Sequence, residues 1–257
     1  MIKKIIILFK IARKIGSSDI IKIIDRTHTV PLFIKIFFNL VSLSFSKNQN
    51  KSVDKNDLSS SIQELGTTFI KLGQFLATRP DIIGEDLTKN LEKLQDKLPP
   101  FSKNLAENII KKELGELTAK NIIEFSDPIA AASIAQVHKA KINEANTIKD
   151  VAVKVLRPNI KEIFNSEIDA IMMLAYLVET FIPKTKRLKL IEVVFLFKEI
   201  TNHEMDLRFE AAAANEYLEN TKNDLGFKVP KIYWNFTSES VLTLDWVDGI
   251  SIREKDK

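Results

Sequence analysis

Apolar positions along the chain change period several times, and those changes mark out the elements. From residue 58 to 126 they recur every three or four residues, the helical spacing, with Pro99–Pro100 separating two stretches. Residues 127–155 turn short, β-rich and turn-separated. A helical pattern returns from about 159 to 222, interrupted near Pro183. The tail alternates again, with K-V-P-K-I-Y-W-N-F (228–236) and S-V-L-T-L-D-W-V (240–247) reading as two strands. The polar run at 46–57 reads as a linker. No internal repeat is present. The pattern predicts an α+β protein in three parts: basic apolar helices over 1–50, a helical section over 51–126, and a β-containing section over 127–257.

The stretch 61–79 followed by Pro80 carries full helix punctuation. Ser61 and Glu64 have capping-box spacing, and Pro80 is a stop. Ile62, Leu65, Phe69, Leu72 and Leu76 form an apolar stripe. Gly66 and Gly73 lie beside it. Each glycine costs a helix about 1 kcal/mol relative to alanine, so the pair suggests the close approach of another backbone. Thr67, Lys71, Gln74 and Thr78 fall opposite the stripe, where a solvated face is the ordinary reading.

Val151-Ala152-Val153-Lys154-Val155 is a buried-type strand with one charge inside it. Burying an ammonium is costly unless it is paired, so Lys154 calls for an anionic ligand or a carboxylate, or else points to water at a sheet edge. Carboxylates are available on a helix predicted over 188–220. Asp206 and Glu210 are four apart there and share a face with Glu199 and His203, where a facing cation would relieve their mutual repulsion. Glu204 projects near the far side of the stripe Leu196, Ile200, Leu207, Ala211 and Leu218.

Composition narrows the chemistry. The chain has 257 residues, no cysteine and a net charge of +4. Disulfide, zinc-thiolate and cysteine-nucleophile chemistry are excluded, and the three histidines show no metal-ligand spacing. Positive charge concentrates in residues 1–51, where ten lysines and arginines are interleaved with aliphatic residues and opposed only by Asp19 and Asp25. That pairing points to an anionic membrane surface rather than nucleic acid, since most of the interleaved residues are aliphatic and no tryptophan or tyrosine accompanies the charges. Neither apolar segment there reaches the roughly 20 residues of a membrane span. An interfacial helix and a core helix both remain open.

Five motifs, in order and over nearly the whole chain, resemble the UbiB family of atypical protein-kinase-like proteins. F-I-K-L-G-Q-F-L-A-T-R-P-D (69–81) resembles its K-x-G-Q signature, and A-A-A-S-I-A-Q-V-H (130–138) its alanine-rich loop. V-A-V-K-V-L-R-P (151–158) resembles the nucleotide-lysine strand, E-M-D-L-R-F-E-A (204–211) the E-x-D motif with the αC-type glutamate, and V-L-T-L-D-W-V-D-G (241–249) the fifth strand and hinge. Leu156, Ala77, Gly84 and Ala213 depart from the usual residues.

The resemblance implies a helical extension packed on a kinase-like N-lobe, a five-strand antiparallel sheet plus an αC-type helix. It implies that ATP or ADP with Mg²⁺ is held by Ala130, Ala131, Ala132, Ser133, Val137, Lys154, Asp245 and Val247. Lys154 would pair with phosphates and Glu210, and Lys71 and Gln74 would approach Glu204 and Asp206. It further implies a role in ubiquinone biosynthesis, peripheral on the cytoplasmic face of the bacterial inner membrane, with a lipid or quinone intermediate as partner. Alanines in place of glycines imply a stiffer loop and an altered nucleotide preference. No H-x-D catalytic loop or D-F-G metal site follows Gly249, so no catalytic or metal residue is assigned. The expectation is a chain without its C-lobe, inactive alone, with a separate chain as one source of that lobe. A non-catalytic membrane scaffold and a decayed gene product are the alternatives.

Overall fold

The computed structural model describes residues 58–92, 94 and 98–250, together with residues 6, 7, 9, 12 and 13, which are helical. The interfacial reading of 1–51 otherwise lies outside the described residues. In chain order the elements are α1 (Leu58–Leu65), α2 (Thr67–Ala77), α3 (Pro80–Ile83), α4 (Glu85–Leu91), α5 (Lys103–Leu114) and α6 (Glu116–Ala119). Strands β1 (Ile122–Ile123), β2 (Pro128–Ala131), β3 (Ala135–Glu144) and β4 (Thr147–Leu156) follow. Then come α7 (Ile160–Phe181), a 3-10 segment (Pro183–Leu188), α8 (Leu190–Glu204), α9 (Leu207–Asn220), a 3-10 turn (Trp234–Phe236) and β5 (Val241–Asp245). They form two compact units interleaved along the chain, one from residues up to 96 and 161–200, the other from 97–160 and 201–257. Residues 97–126, grouped by pattern with the helical extension, cluster with the sheet.

The first unit is helical. The helix expected over 61–79 is two helices, because Gly66 adopts φ 110° and ψ −177° between α1 and α2, a region only glycine visits readily. Ser61 therefore lies inside α1 and caps nothing. Gly73 is a packing glycine: a Cβ there would collide with Leu94 Cδ1 and meet Ile62 Cγ2 at 3.5 Å, so side chains rather than a backbone come close. The buried side of α2 carries Thr68, Phe69, Ile70 and Gly73. Phe75 meets Phe197 of α8 with ring centroids 5.5 Å apart. On α8 the buried apolar residues are Val193, Val194 and Phe197, whereas Leu196 and Ile200 of the expected stripe are exposed. Among the described residues no helix is long and apolar enough to cross a membrane.

The second unit holds a five-strand antiparallel sheet in the order β1-β3-β4-β5. Strands β1 and β2 share the outer edge of β3, β1 beside Lys141–Ile142 and β2 beside Gln136–His138. The five expected strands are present in number, but one was misplaced. Residues 228–236 form a single bridge, Ile232 with Leu244, and then the 3-10 turn. Pro230 has no N–H to extend a ladder, and the Phe236 carbonyl accepts from Thr243 Oγ1 (2.8 Å) instead. Alternation through the middle of β3 and β4 gives the sheet one dry face. Ala140, Ile142, Val151, Val153, Val155 and Val241 point to it and pack with Ala106 and Ile110 of α5, Tyr233 and Phe236. Each fully buried aliphatic side chain contributes about 1.5–3 kcal/mol.

Replacing Gly66 by alanine tests the break between α1 and α2. Alanine in a continuous helix would stabilise the protein by about 1 kcal/mol. At this φ and ψ it should instead destabilise by about 1–3 kcal/mol, read as a lower urea midpoint at unchanged slope.

Candidate functional site

Alternation that sends Val151, Val153 and Val155 into the core sends Lys154 to the opposite face. Its cross-strand neighbours are Val137 of β3 and Leu242 of β5, and one step along the sheet Ala152 lies between Lys139 and Leu244. Lys154 thus sits in a cross-strand row between two apolar residues, with Lys139 the next cation along the same face. Lys154 Nζ donates to Glu210 Oε2 at 2.7 Å, with the two side chains 26% and 50% exposed. The pair is open enough to admit a ligand beside the ammonium.

Glu210 reaches this face because α9 is a separate helix. The predicted helix over 188–220 breaks at Met205–Asp206, and Asp206 is the N-cap of α9, accepting from the Arg208 N–H at 3.1 Å. The Leu207 N–H donates to the Glu239 carbonyl at 2.9 Å, pinning the start of α9 beside β5. Buried Leu207 and Ala211 pack this helix down. Asp206 and Glu210 each have their own cation, Arg208 and Lys154. Arg208 grips the Asp206 carboxylate through Nε and Nη2 at 2.9 and 2.7 Å, and that hydrogen bonding pushes the guanidinium pKa up. Glu204 is exposed at the end of α8, and Lys71 and Gln74 are half-buried on α2 rather than on a solvated face.

The alanine-rich segment is a hairpin. Ala130 pairs with Val137 and Ala131 with Gln136 across an irregular register, and the Ala132 N–H donates to the Ala135 carbonyl at 2.8 Å. Ala130 is exposed, Ala131 and Ala132 are half-buried, and Ser133 at the tip is buried. Only the outer part of the alanine run can meet a ligand.

Gln136 and His138 form a buried polar relay that the sequence reading assigned no role. Gln136 Oε1 accepts from the Phe101 N–H at 2.9 Å, and its Nε2 donates to the Phe101 carbonyl at 3.2 Å and to His138 Nε2 at 2.9 Å. His138 Nδ1–H donates to the Ser126 carbonyl at 2.9 Å, and its ring stacks on Phe125 at 4.2 Å. These contacts require a neutral imidazole protonated on Nδ1. Burial holds its pKa below the ordinary range. The signal was available: Gln136 and His138 share parity with Ala140 and Ile142, so they face the core.

At the far end of the sheet, Asp245 is opposite Val151, on the core side. Its carboxylate accepts from Tyr233 Oη at 2.6 Å, and burial with that bond raises the phenol pKa. The Asp245 side chain is therefore committed to structure, and the Asp245 and Trp246 N–H groups donate to the Lys231 and Asp150 carbonyls at 2.9 and 3.0 Å. Trp246 returns to the Lys154 face, with Lys139 Nζ 4.6 Å from its ring centroid, and Val247 is exposed. Among the described residues no group of three or more His, Cys, Asp or Glu could hold a metal ion.

The sheet, the helix glutamate and the strand lysine make a kinase-like N-lobe, and residues 93–257 match the family model of the ABC1 atypical kinase-like domain. A Probable protein kinase UbiB from Marinobacter nauticus is 37% identical over 226 residues, 88% of this chain and 41% of that protein. A protein of the same description from Pseudomonas paraeruginosa is 36% identical over 194 residues, 75% of this chain and 36% of that one. The uncharacterized protein slr1919 of Synechocystis is 37% identical over 202 residues, 78% of this chain and 35% of that one. The chain belongs to the UbiB family of atypical kinase-like proteins. It spans between 35% and 41% of the length of these relatives.

The relay sets a pH dependence. His138 binds its proton less readily folded than unfolded, where its pKa is about 6.5. Below that pH the unfolded state takes up more protons, so stability falls as pH drops from about 6.5 towards the depressed folded pKa. The urea midpoint should decrease between pH 7 and 5, and His138→Asn should flatten that slope.

Proposed function

We propose that this chain supplies the nucleotide-clamping lobe of a UbiB-type ATP-dependent atypical kinase or ATPase that regulates ubiquinone biosynthesis at a membrane. The observation that carries the reading is the 2.7 Å Lys154–Glu210 pair on the open face of the sheet. A half-exposed carboxylate holding a half-exposed ammonium adds little stability. Its value lies in fixing the ammonium where polyphosphate oxygens can be met.

The donor set fits a nucleotide. Lys154 pairs with the α/β-phosphates while Glu210 holds its orientation. Val137, Ala152 and Leu244 offer an apolar wall for the base, and the Asp245 carbonyl with the backbone of Val247 its polar edge. Ala130–Ala132 cover the phosphates. Mg²⁺, when bound, would neutralise phosphate charge. The basic, aliphatic residues 1–51 meet the anionic membrane surface on its cytoplasmic side, where a lipid or quinone intermediate is the partner. With no H-x-D or D-F-G segment in these 257 residues, the clamp alone binds nucleotide and does not turn it over.

Titration of Mg-ADP and Mg-ATP into the purified chain tests this. Lys154→Ala should weaken binding by about 10- to 100-fold, the range for losing a charge-assisted contact, and Glu210→Gln by less. Tight binding that survives Lys154→Ala contradicts the assignment.

A further inference from the structure

A hairpin tip is ordinarily among the most exposed parts of a sheet, yet Ser133, Ile134, Ala135 and Gln136 are all 8% exposed or less. Two neighbouring pieces of the same unit are bonded to it. One is Arg157, which leaves the end of β4. Its N–H donates to the Ile134 carbonyl at 2.8 Å. Its guanidinium forks onto the Ala132 carbonyl, Nε at 3.1 Å and Nη2 at 2.9 Å, and Nη2 also donates to the Pro99 carbonyl at 3.0 Å. The other is the strip 99–101, where Phe101 lies beside the guanidinium, ring centroid 5.9 Å from Cζ, and has both backbone groups held by Gln136.

We infer that Arg157 is a positioning residue, a latch that ties the alanine hairpin to the 99–101 strip and so fixes the hairpin's height above the phosphates of a nucleotide clamped by Lys154. The inference rests on the nucleotide reading of that face. Three features carry it. Arg157 follows Lys154 by three residues, immediately after the last residue of the same strand, so the clamp and the latch are anchored by one rigid element. A planar guanidinium can bond the Ala132 and Pro99 carbonyls together, which the point charge of a lysine does not reproduce. The Ala132 carbonyl, once gripped, holds the Ala132–Ser133 peptide in one orientation. Glycine-bearing loops depend on the opposite property, a peptide free to turn its N–H towards phosphate. A latched hairpin meets a diphosphate and a triphosphate with the same fixed surface, so Arg157 acts on the preference between them as well as on affinity for either.

The experiment combines amide hydrogen exchange with Mg-ADP and Mg-ATP titration on the full chain, in wild type, Arg157→Lys and Arg157→Ala. Trp246, on the Lys154 face, serves as the fluorescence reporter. The lysine variant keeps the charge and is the one to trust should the alanine variant fold poorly. Exchange at 132–136 should accelerate by roughly tenfold, the loss of about one charge-assisted bond, with β4 and β5 unchanged, and the ratio of ATP to ADP affinities should shift by several-fold. Unchanged exchange in both variants overturns the latch. Acceleration spread equally over β3, β4 and β5 overturns it too, since that is general destabilisation. A loosened hairpin with an unaltered affinity ratio overturns the positioning role while leaving wild-type nucleotide binding intact. Absence of binding by the wild type is a different failure: it removes the nucleotide reading and the positioning role with it, and exchange still reports whether Arg157 holds the hairpin.

Discussion

One ammonium in the middle of a strand governs this lobe. Lys154 stands between valines that need a dry core, and a charge cannot share their side of the sheet without a large penalty. Strand alternation resolves the conflict by sending the valines to one face and the lysine to the other. The lysine then needs a carboxylate, and that need fixes where α9 must lie. The break at Met205–Asp206, the Asp206 cap and the bond from Leu207 to Glu239 all serve to bring Glu210 within 2.7 Å of Nζ. Because both side chains stay partly exposed, the pair contributes on the order of 0–1 kcal/mol to stability. Its consequence is geometric: a cation held in place on a face lined by Val137, Ala152 and Leu244.

The opposite face supplies the rigidity this arrangement needs. Its hydrophobic part is ordinary, β-branched residues against α5. Its polar part is less so, since Gln136 and His138 are buried and satisfied only by each other and by the backbone of Phe101 and Ser126. A buried polar network of this kind is costly when incomplete and specific when complete. Here it joins the strip before α5 to β3, just below the alanine hairpin. With Arg157, just past β4, bonded to the Ala132 and Ile134 carbonyls, the alanine hairpin is fixed from two sides. Alanines suit that construction, since a loop held by its neighbours has little use for glycine's freedom.

Much of this was legible in the sequence, for physical reasons that differ from residue to residue. The valines around Lys154 and the order of the motifs specified the sheet and its central charge. Glu210 was legible as a partner. The helix breaks were not, because Gly66 in a helical pattern reads as a tolerated defect until its φ of 110° is seen, and because Asp206 looks the same at a cap as on a helix face. The strand expected over 228–236 had the right residues but lacked a free ladder once Pro230 is counted. The Gln136–His138 relay was written in the parity of β3. It went unassigned because polar residues near a ligand loop invite a functional reading before a structural one. Arg157 carried no local signal, since its partners are the carbonyls of Pro99 and Ala132, 58 and 25 residues away.

The central claim is that the Lys154 face holds nucleotide phosphates. An acyl-phosphate nucleotide probe tests it directly, because such a reagent transfers its acyl group to a lysine beside the bound phosphates. Mass spectrometry of the labelled full-length chain should find Lys154 as the dominant modified residue, with labelling suppressed by excess Mg-ADP. Labelling scattered over surface lysines, or labelling of Lys154 that Mg-ADP does not suppress, would contradict the account.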